Sequence, residues 1–280
     1  MSELSAQLDH LQLLADAPER LVAFYAEALG MTPERLGQDL WLCAAPERRM
    51  LIGRGPSRTL RFGAYRFGSQ SGLAAMRERL ERQGIALGAS PSPLFGPLAF
   101  SLTDPDGNVL IFGHEASVQL APKTRKGLRA RLQHLAVASD NPERLLRFYT
   151  DVLGFVLSDK VLEEGRLSAC WLRTDREHHT MALFRTRQAD RRLDHHSYEV
   201  EDWGLIRDWA DGFAARGIEL AWGPGRHGPG NNLFIMVRDP DGNLIEFSAE
   251  LEVITNDRPV VVWPQDEKTF NRWGSAPLRT

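Results

Sequence analysis

LDHLQLLADAPERLVAFYAEALGM, residues 8–31, and LQHLAVASDNPERLLRFYTDVLGF, residues 132–155, are one sequence written twice. A constant offset of 124 carries His10 onto His134, Pro18 onto Pro142, Phe24-Tyr25 onto Phe148-Tyr149 and Gly30 onto Gly154. Further on, DPDGNVLIF from Asp104 returns as DPDGNLIEF from Asp239. A repeat of this length decides the architecture before any single motif does. It also supplies an internal control, because a residue present in one half and absent from the other is not needed for the fold.

Within a half, strand and helix signals alternate. Residues 132–138 alternate about His134 as a half-buried strand does. Asp140-Asn141-Pro142-Glu143 then offers a cap, a proline in the first turn and an early acid. Leu145, Leu146, Phe148, Tyr149 and Val152 follow at helical spacing, and Gly154 closes the element. Strand-like runs lie at 169–173 and 180–184. A second unit opens at 193–200, continues in a helix over 205–215 and ends in strands at 233–237 and 244–247. Each half therefore reads as two βαβββ units, with weaker strands in the first half. The fold class is α+β: residues 1–115 form one domain without metal, 116–130 a basic linker with Lys123, Arg125, Lys126 and Arg129, and 131–250 a metal-binding domain. Residues 251–280, rich in Pro and Trp, have no repeat partner and read as a tail closing over the second domain's cleft.

The bulk composition excludes several classes. Hydrophobic content of 42% and charged content of 25% suit a globular domain. A formal charge of -3 argues against a nucleic-acid surface. The start, MSELSAQLDH, has no apolar core of a signal peptide, and no apolar run reaches the roughly 18 residues of a membrane span. Cys43 and Cys170 make no disulfide framework, so a cytoplasmic, reducing location is expected.

Six of the eight histidines follow the linker. Aligning the halves sets His134 against His10, His179 against Arg49, His195 against Phe62, His227 against Ser92 and Glu246 against Ile111. The scaffold tolerates Phe and Ile where the second half has His195 and Glu246, which weakens a structural reading of those two. Two histidines and a carboxylate on separate strands make a facial triad that leaves adjacent positions open on an octahedral ion. A glutamate among Leu244, Ile245 and Phe247 is costly unless paired, and a cation removes that cost. His134, His195 and Glu246 are accordingly the expected metal ligands, and His10 a core or cleft histidine.

HHTMAL from His178, LDHHSYEV from Leu193, and GPGRHG from Gly223 followed by LFIMVRDPDGNLIEF resemble the catalytic half of the two-domain type I extradiol ring-cleaving dioxygenases of the vicinal oxygen chelate superfamily. The resemblance covers nearly the whole chain. It implies paired modules forming barrel-like β-sheet clefts, with His134, His195 and Glu246 holding Fe(II), or Mn(II). His195 is preferred to His196 because the family's ligand stands five residues before the strand's closing valine, here Val200. His179 falls on the family's acid/base histidine, with His178 facing away, and His227 on the histidine that hydrogen-bonds the substrate oxygen. Trp171, Met236 and Arg226 are expected to line the substrate pocket. Two positions depart from the family. Met236 stands where relatives carry a tyrosine, and Ala221-Trp222 where the homoprotocatechuate enzymes carry an arginine for the substrate carboxylate. The implied activity is O₂-dependent ring cleavage of an uncharged catechol to a muconic semialdehyde-type product. The implied partners are the catechol, O₂ and further copies of the chain. A metalloenzyme of the same fold without O₂ chemistry (isomerase, lyase or hydrolase) and a non-catalytic ligand-binding protein are the alternatives.

Overall fold

The computed structural model describes residues 4–115, 127–186 and 193–277. Four βαβββ modules follow one another. The first comprises β1 (Ala6–Ala15), α1 (Pro18–Glu27), β2 (Thr32–Gly37), β3 (Leu40–Ala45) and β4 (Arg48–Arg54). The second comprises β5 (Thr59–Phe67), α2 (Gln70–Arg82), β6 (Gly88–Ala89), β7 (Phe100–Thr103) and β8 (Val109–Gly113). In the second half, β9 (Arg131–Ser139), α3 (Pro142–Arg147), β10 (Val156–Glu163), β11 (Arg166–Arg173) and β12 (Met181–Arg185) make the third module. The fourth is β13 (Leu193–Val200), α4 (Trp203–Ala214), β14 (Trp222–Arg226), β15 (Leu233–Arg238) and β16 (Leu244–Ala249). The tail adds β17 (Val261–Pro264) and a short α5 (Glu267–Phe270).

Each half closes on its own sheet. The orders are β2-β3-β4-β1-β5-β8-β7-β6 and β14-β15-β16-β13-β9-β12-β11-β10-β17. In both, the first strands of two modules pair antiparallel at the centre, β1 with β5 and β9 with β13. The helices and the backs of both sheets share one apolar core, which draws residues such as Tyr25, Tyr65, Tyr149, Tyr198 and Phe247 from both halves. Polar ties cross the same boundary. The buried Arg48 donates to the carbonyls of Leu29 and Ala130, and Tyr149 donates to Asp104.

Local chemistry explains the elements that matter for position. The Asn141 side chain accepts from the Arg144 N–H and caps α3, with Pro142 in its first turn. The helix widens into a π-helical turn over Phe148–Leu153 and stops at Gly154, whose φ of 82° suits glycine. The DPDGN segments build the same turn twice. The carboxylate of Asp239 accepts from the N–H groups of Asp241 and Asn243 and from the Asn243 side chain. Asp104 does the same with Asp106 and Asn108. This turn joins β15 to β16 and sets the register that puts Met236 opposite Glu246.

Residues 116–126 of the basic connector, with Lys123, Arg125 and Lys126, lie outside the described residues. Its end is anchored: Trp209 Nε1 donates to the Arg129 carbonyl at 3.0 Å. Among the described residues no helix is long and apolar enough to cross a membrane.

Candidate metal centre and its cavity

His134 projects from β9, His195 from β13 and Glu246 from β16, three strands that lie side by side. Ser197 bridges them in register, paired with His134 on one side and Glu246 on the other. Side chains alternate along a strand. His195 therefore shares the cleft face with Ser197, while His196 turns to the opposite face and meets Tyr25 Oη at 3.2 Å.

The three donor atoms converge. His134 Nε2 is 3.1 Å from His195 Nε2 and 3.4 Å from Glu246 Oε2, and His195 Nε2 is 3.2 Å from the same oxygen. Ligands about 2.1 Å from a common ion stand roughly 3.0–3.4 Å apart, so the spacing fits one divalent ion. The outer contacts fix the rings for that role. His134 Nδ1 donates to Gln133 Oε1 at 2.6 Å, and His195 Nδ1 to Asp194 Oδ1 at 2.5 Å. With Nδ1 protonated, each Nε2 turns its lone pair to the common point. Gln133 is itself held by donating to the His179 carbonyl, and Asn232 donates to Glu246 Oε1.

Charge at the centre follows the same geometry. Burial disfavours a charged Glu246, but the surrounding His134, His195 and His227 rings hold its carboxyl well below the usual range. Burial also works against a charged His195, yet Asp194 and Glu246 raise that ring to about 9. Burial lowers His134. A divalent ion bound there would take the place of any proton on His195 Nε2.

A cavity opens on this cluster. Its walls come from β11 and β12 on one side and β14 and β15 on the other, so the sheet wraps around it. Trp171, Phe184, Trp222, Met236 and Phe270 make most of the apolar lining. His179, on the loop between β11 and β12, lines it with its ring 4.4 Å from that of His134. Burial first, and then the neighbouring His134 and His178, hold His179 well below the ordinary histidine value. His227, just past β14, stacks on Phe234 at 3.9 Å. Its Nδ1 donates to the Phe270 carbonyl at 2.5 Å, which leaves Nε2 as an acceptor 3.7 Å from Glu246 Oε1. The tail contributes Thr269, Phe270 and Pro277 to the lining.

Arg226 is a correction. It does not line the cavity. Its guanidinium donates to the Asn231 carbonyl and to Glu250, and it lies over the Trp273 ring. The reason is the register shift between Trp222 and Gly225: it breaks the alternation of β14, so Trp222 and His227 both face inward while Arg226 turns away. Sequence reasoning did not single out Gln133, Asp194, Asn232, Phe184 or Thr269. Gln133 and Asp194 had a signal, since each immediately precedes a ligand, as Asp9 precedes His10.

The first half shows what the fold does without a ligand set. Phe62, Ile111, Leu94 and Phe95 fill the matching space as a small apolar core. His10 sits against Phe62 and Phe95, with Nδ1 on Asp9 and Nε2 on Ser92 Oγ. Burial lowers its pKa, so it is a neutral, satisfied histidine.

This geometry, a wrapped sheet of paired βαβββ modules around a His-His-Glu cluster, has known counterparts. Residues 131–247 match the model of the Glyoxalase/Bleomycin resistance protein/Dioxygenase superfamily. The second half of the chain is a domain of that superfamily. Metapyrocatechase 2 of Cupriavidus necator is 27% identical, covering 95% of this chain and 88% of its own length. A Mn(II)-bound glyoxalase from Novosphingobium aromaticivorans superposes with a TM-score of 0.82 at 24% identity, over 98% of this chain and 92% of that one. An extradiol ring-cleaving dioxygenase from B. fuscum gives 0.82 at 22% identity, over 96% and 79%. Other relatives include an iron-dependent extradiol dioxygenase of Rhodococcus jostii and a manganese-dependent 2,3-dihydroxybiphenyl 1,2-dioxygenase of Geobacillus genomosp. 3.

Proposed function

We propose that the chain is an extradiol ring-cleaving dioxygenase that holds Fe(II) on His134, His195 and Glu246 and opens a catechol with O₂ to a muconic semialdehyde-type product. The observation that carries this reading is the three-donor cluster facing an aromatic-lined cavity that also receives His179 and His227. The chemistry supplied by the ion when bound is electron transfer between catecholate and dioxygen. Mn(II) suits the same donor set. The residues of the chain position and move protons. His227 Nε2, an acceptor, takes a hydrogen bond from a catechol hydroxyl. His179, on the other flank, accepts a proton and returns it as the ring opens. Trp171, Phe184 and Phe270 hold the ring and keep water out, with the tail as the closing wall. Buried thiols at Cys43 and Cys170 support a cytoplasmic setting. The exposed valines at 261 and 262, on the edge strand β17, support a homo-oligomer.

The lining also supports a substrate class. Among the described residues no lysine or arginine lines the cavity. A carboxylate on the ring would lose water without gaining a partner. A charge-assisted hydrogen bond contributes about 1.5–3 kcal/mol, so 4-methylcatechol should exceed (3,4-dihydroxyphenyl)acetate in kcat/KM by about 10–100-fold. Trp222→Arg should narrow that gap from the cavity wall. Equal kcat/KM for the two substrates in the unaltered protein would refute the uncharged-substrate reading.

Met236 favours a second reading. It lies opposite Glu246 and has no proton to donate. A metalloenzyme without O₂ chemistry would use the same ligands to polarise its substrate, and it would turn over anaerobically.

A further inference from the structure

Behind His179, on the side away from the cavity, lies a second histidine that the reaction as described does not use. His178 is fully buried and outside the cavity lining. Its Nδ1 is 3.0 Å from His179 Nδ1, and its Nε2 is 3.2 Å from Asp159 Oδ2. Asp159 is buried too, on β10. Trp263 Nε1 donates to its Oδ2 at 2.8 Å, and Arg258 to its Oδ1 at 2.9 Å. Both donors belong to the tail. Arg258 also pairs with Glu252, whose carboxylate is 4.0 Å from His178 Nε2. Gly230, at a φ of 73°, passes so close that a Cβ there would sit 3.1 Å from His178 Nδ1.

We propose that Asp159 and His178 are positioning residues that set the tautomer of His179, and that the tail acts on the site through them. This rests on the reading of His179 as the acid/base residue of the cavity. The contact of His178 Nε2 with Asp159 at 3.2 Å falls outside hydrogen-bond geometry, but an ionised carboxylate there still favours the N–H over a lone pair, so the proton of His178 sits on Nε2 and its Nδ1 carries a lone pair. Between two facing Nδ1 atoms only one can donate. His179 Nδ1 therefore carries the proton, and His179 Nε2 presents a lone pair to the cavity. Burial raises the Asp159 carboxyl, but His178, Trp263 and Arg258 together bring it below its ordinary value, in keeping with an ionised anchor. The Gln133 side chain holds the His179 backbone carbonyl, so the residue is fixed at its backbone as well as at Nδ1.

The test reads the tautomer directly. In full-length chain labelled with ¹⁵N-histidine and carrying Zn(II) as a diamagnetic ion, His179 should be the Nδ1–H form. Asp159→Asn should move it toward the Nε2–H form, and His178→Gln should abolish the preference. With the iron-loaded protein and 4-methylcatechol, both variants should lower kcat about 10–100-fold, the usual effect of an outer-shell partner. KM should change by less than about threefold, since neither residue touches the cavity, and iron content should stay at the wild-type level. Trp263→Phe, which keeps an aromatic ring but removes the N–H, should shift the tautomer less but in the same direction. Should Asp159→Asn fail to fold, His178→Gln and Trp263→Phe decide. An unchanged tautomer in the folded variants overturns the proposal even if the protein proves not to be a dioxygenase. A fall in kcat matched by lost iron or a proportionate rise in KM overturns it as well.

Discussion

Glu246→Ala leaves the chain folded but without its metal. Glu246 is the only carboxylate of the ligand cluster, and His134 and His195 both point their Nε2 atoms at it. Changing an outer-shell partner of a metal ligand costs about 10–100-fold in affinity. Removing a charged ligand itself should cost more than that upper figure. The fold should survive, because Ile111 fills the matching position of the first half inside a closed apolar cluster. The same comparison sets the stoichiometry. His10 is alone among Phe62, Phe95 and Ser92, so the unaltered chain should bind one ion, not two. Metal analysis after reconstitution checks both statements. Two ions per chain, or one ion retained by Glu246→Ala, would remove the assignment.

His179→Asn should separate chemistry from binding. The His179 ring packs against His134, but its Nδ1 is engaged by His178, and its donors are not among the three that converge. Asparagine keeps a polar group in the wall and cannot exchange a proton at neutral pH. Turnover should fall by roughly 10²–10⁴, the usual contribution of a positioned acid or base, while iron content and catechol affinity hold. Loss of iron would make His179 a ligand instead. Unchanged turnover would make it a bystander.

The parts of this molecule that could be read without coordinates are those where the repeat acts as a control. The βαβββ plan follows from two copies of one pattern, and the fold class with it. Other elements escape for physical reasons. β10, VLSDKVLE, is strand throughout, but two register shifts against β11 break its alternation. β14 reads WGPGR, which composition marks as a turn, yet it pairs with β15 and carries the chain to His227. β17 has no repeat partner and takes its place only by pairing with β10. Site geometry divides the same way. The positions of His195 and Glu246 could be read from what the first half lacks, Phe62 and Ile111 standing in their places, whereas His134 has its counterpart in His10. The contacts of Asn232 with Glu246, of Phe270 with His227 and of Trp263 with Asp159 join segments far apart in the chain, and no local pattern announces them. Arg226 was misplaced because the register shift inside β14, which turns it away while Trp222 and His227 face inward, is not legible in GPGRHG.

The central claim is that this centre runs O₂-dependent ring cleavage. Anaerobic reconstitution with Fe(II), addition of 4-methylcatechol, and then admission of O₂ under visible absorbance tests it. No reaction should occur before O₂ enters. Afterwards a yellow semialdehyde should form with one O₂ consumed per catechol. Turnover of substrate before oxygen is admitted, or the absence of ring-opened product after it, would contradict the account.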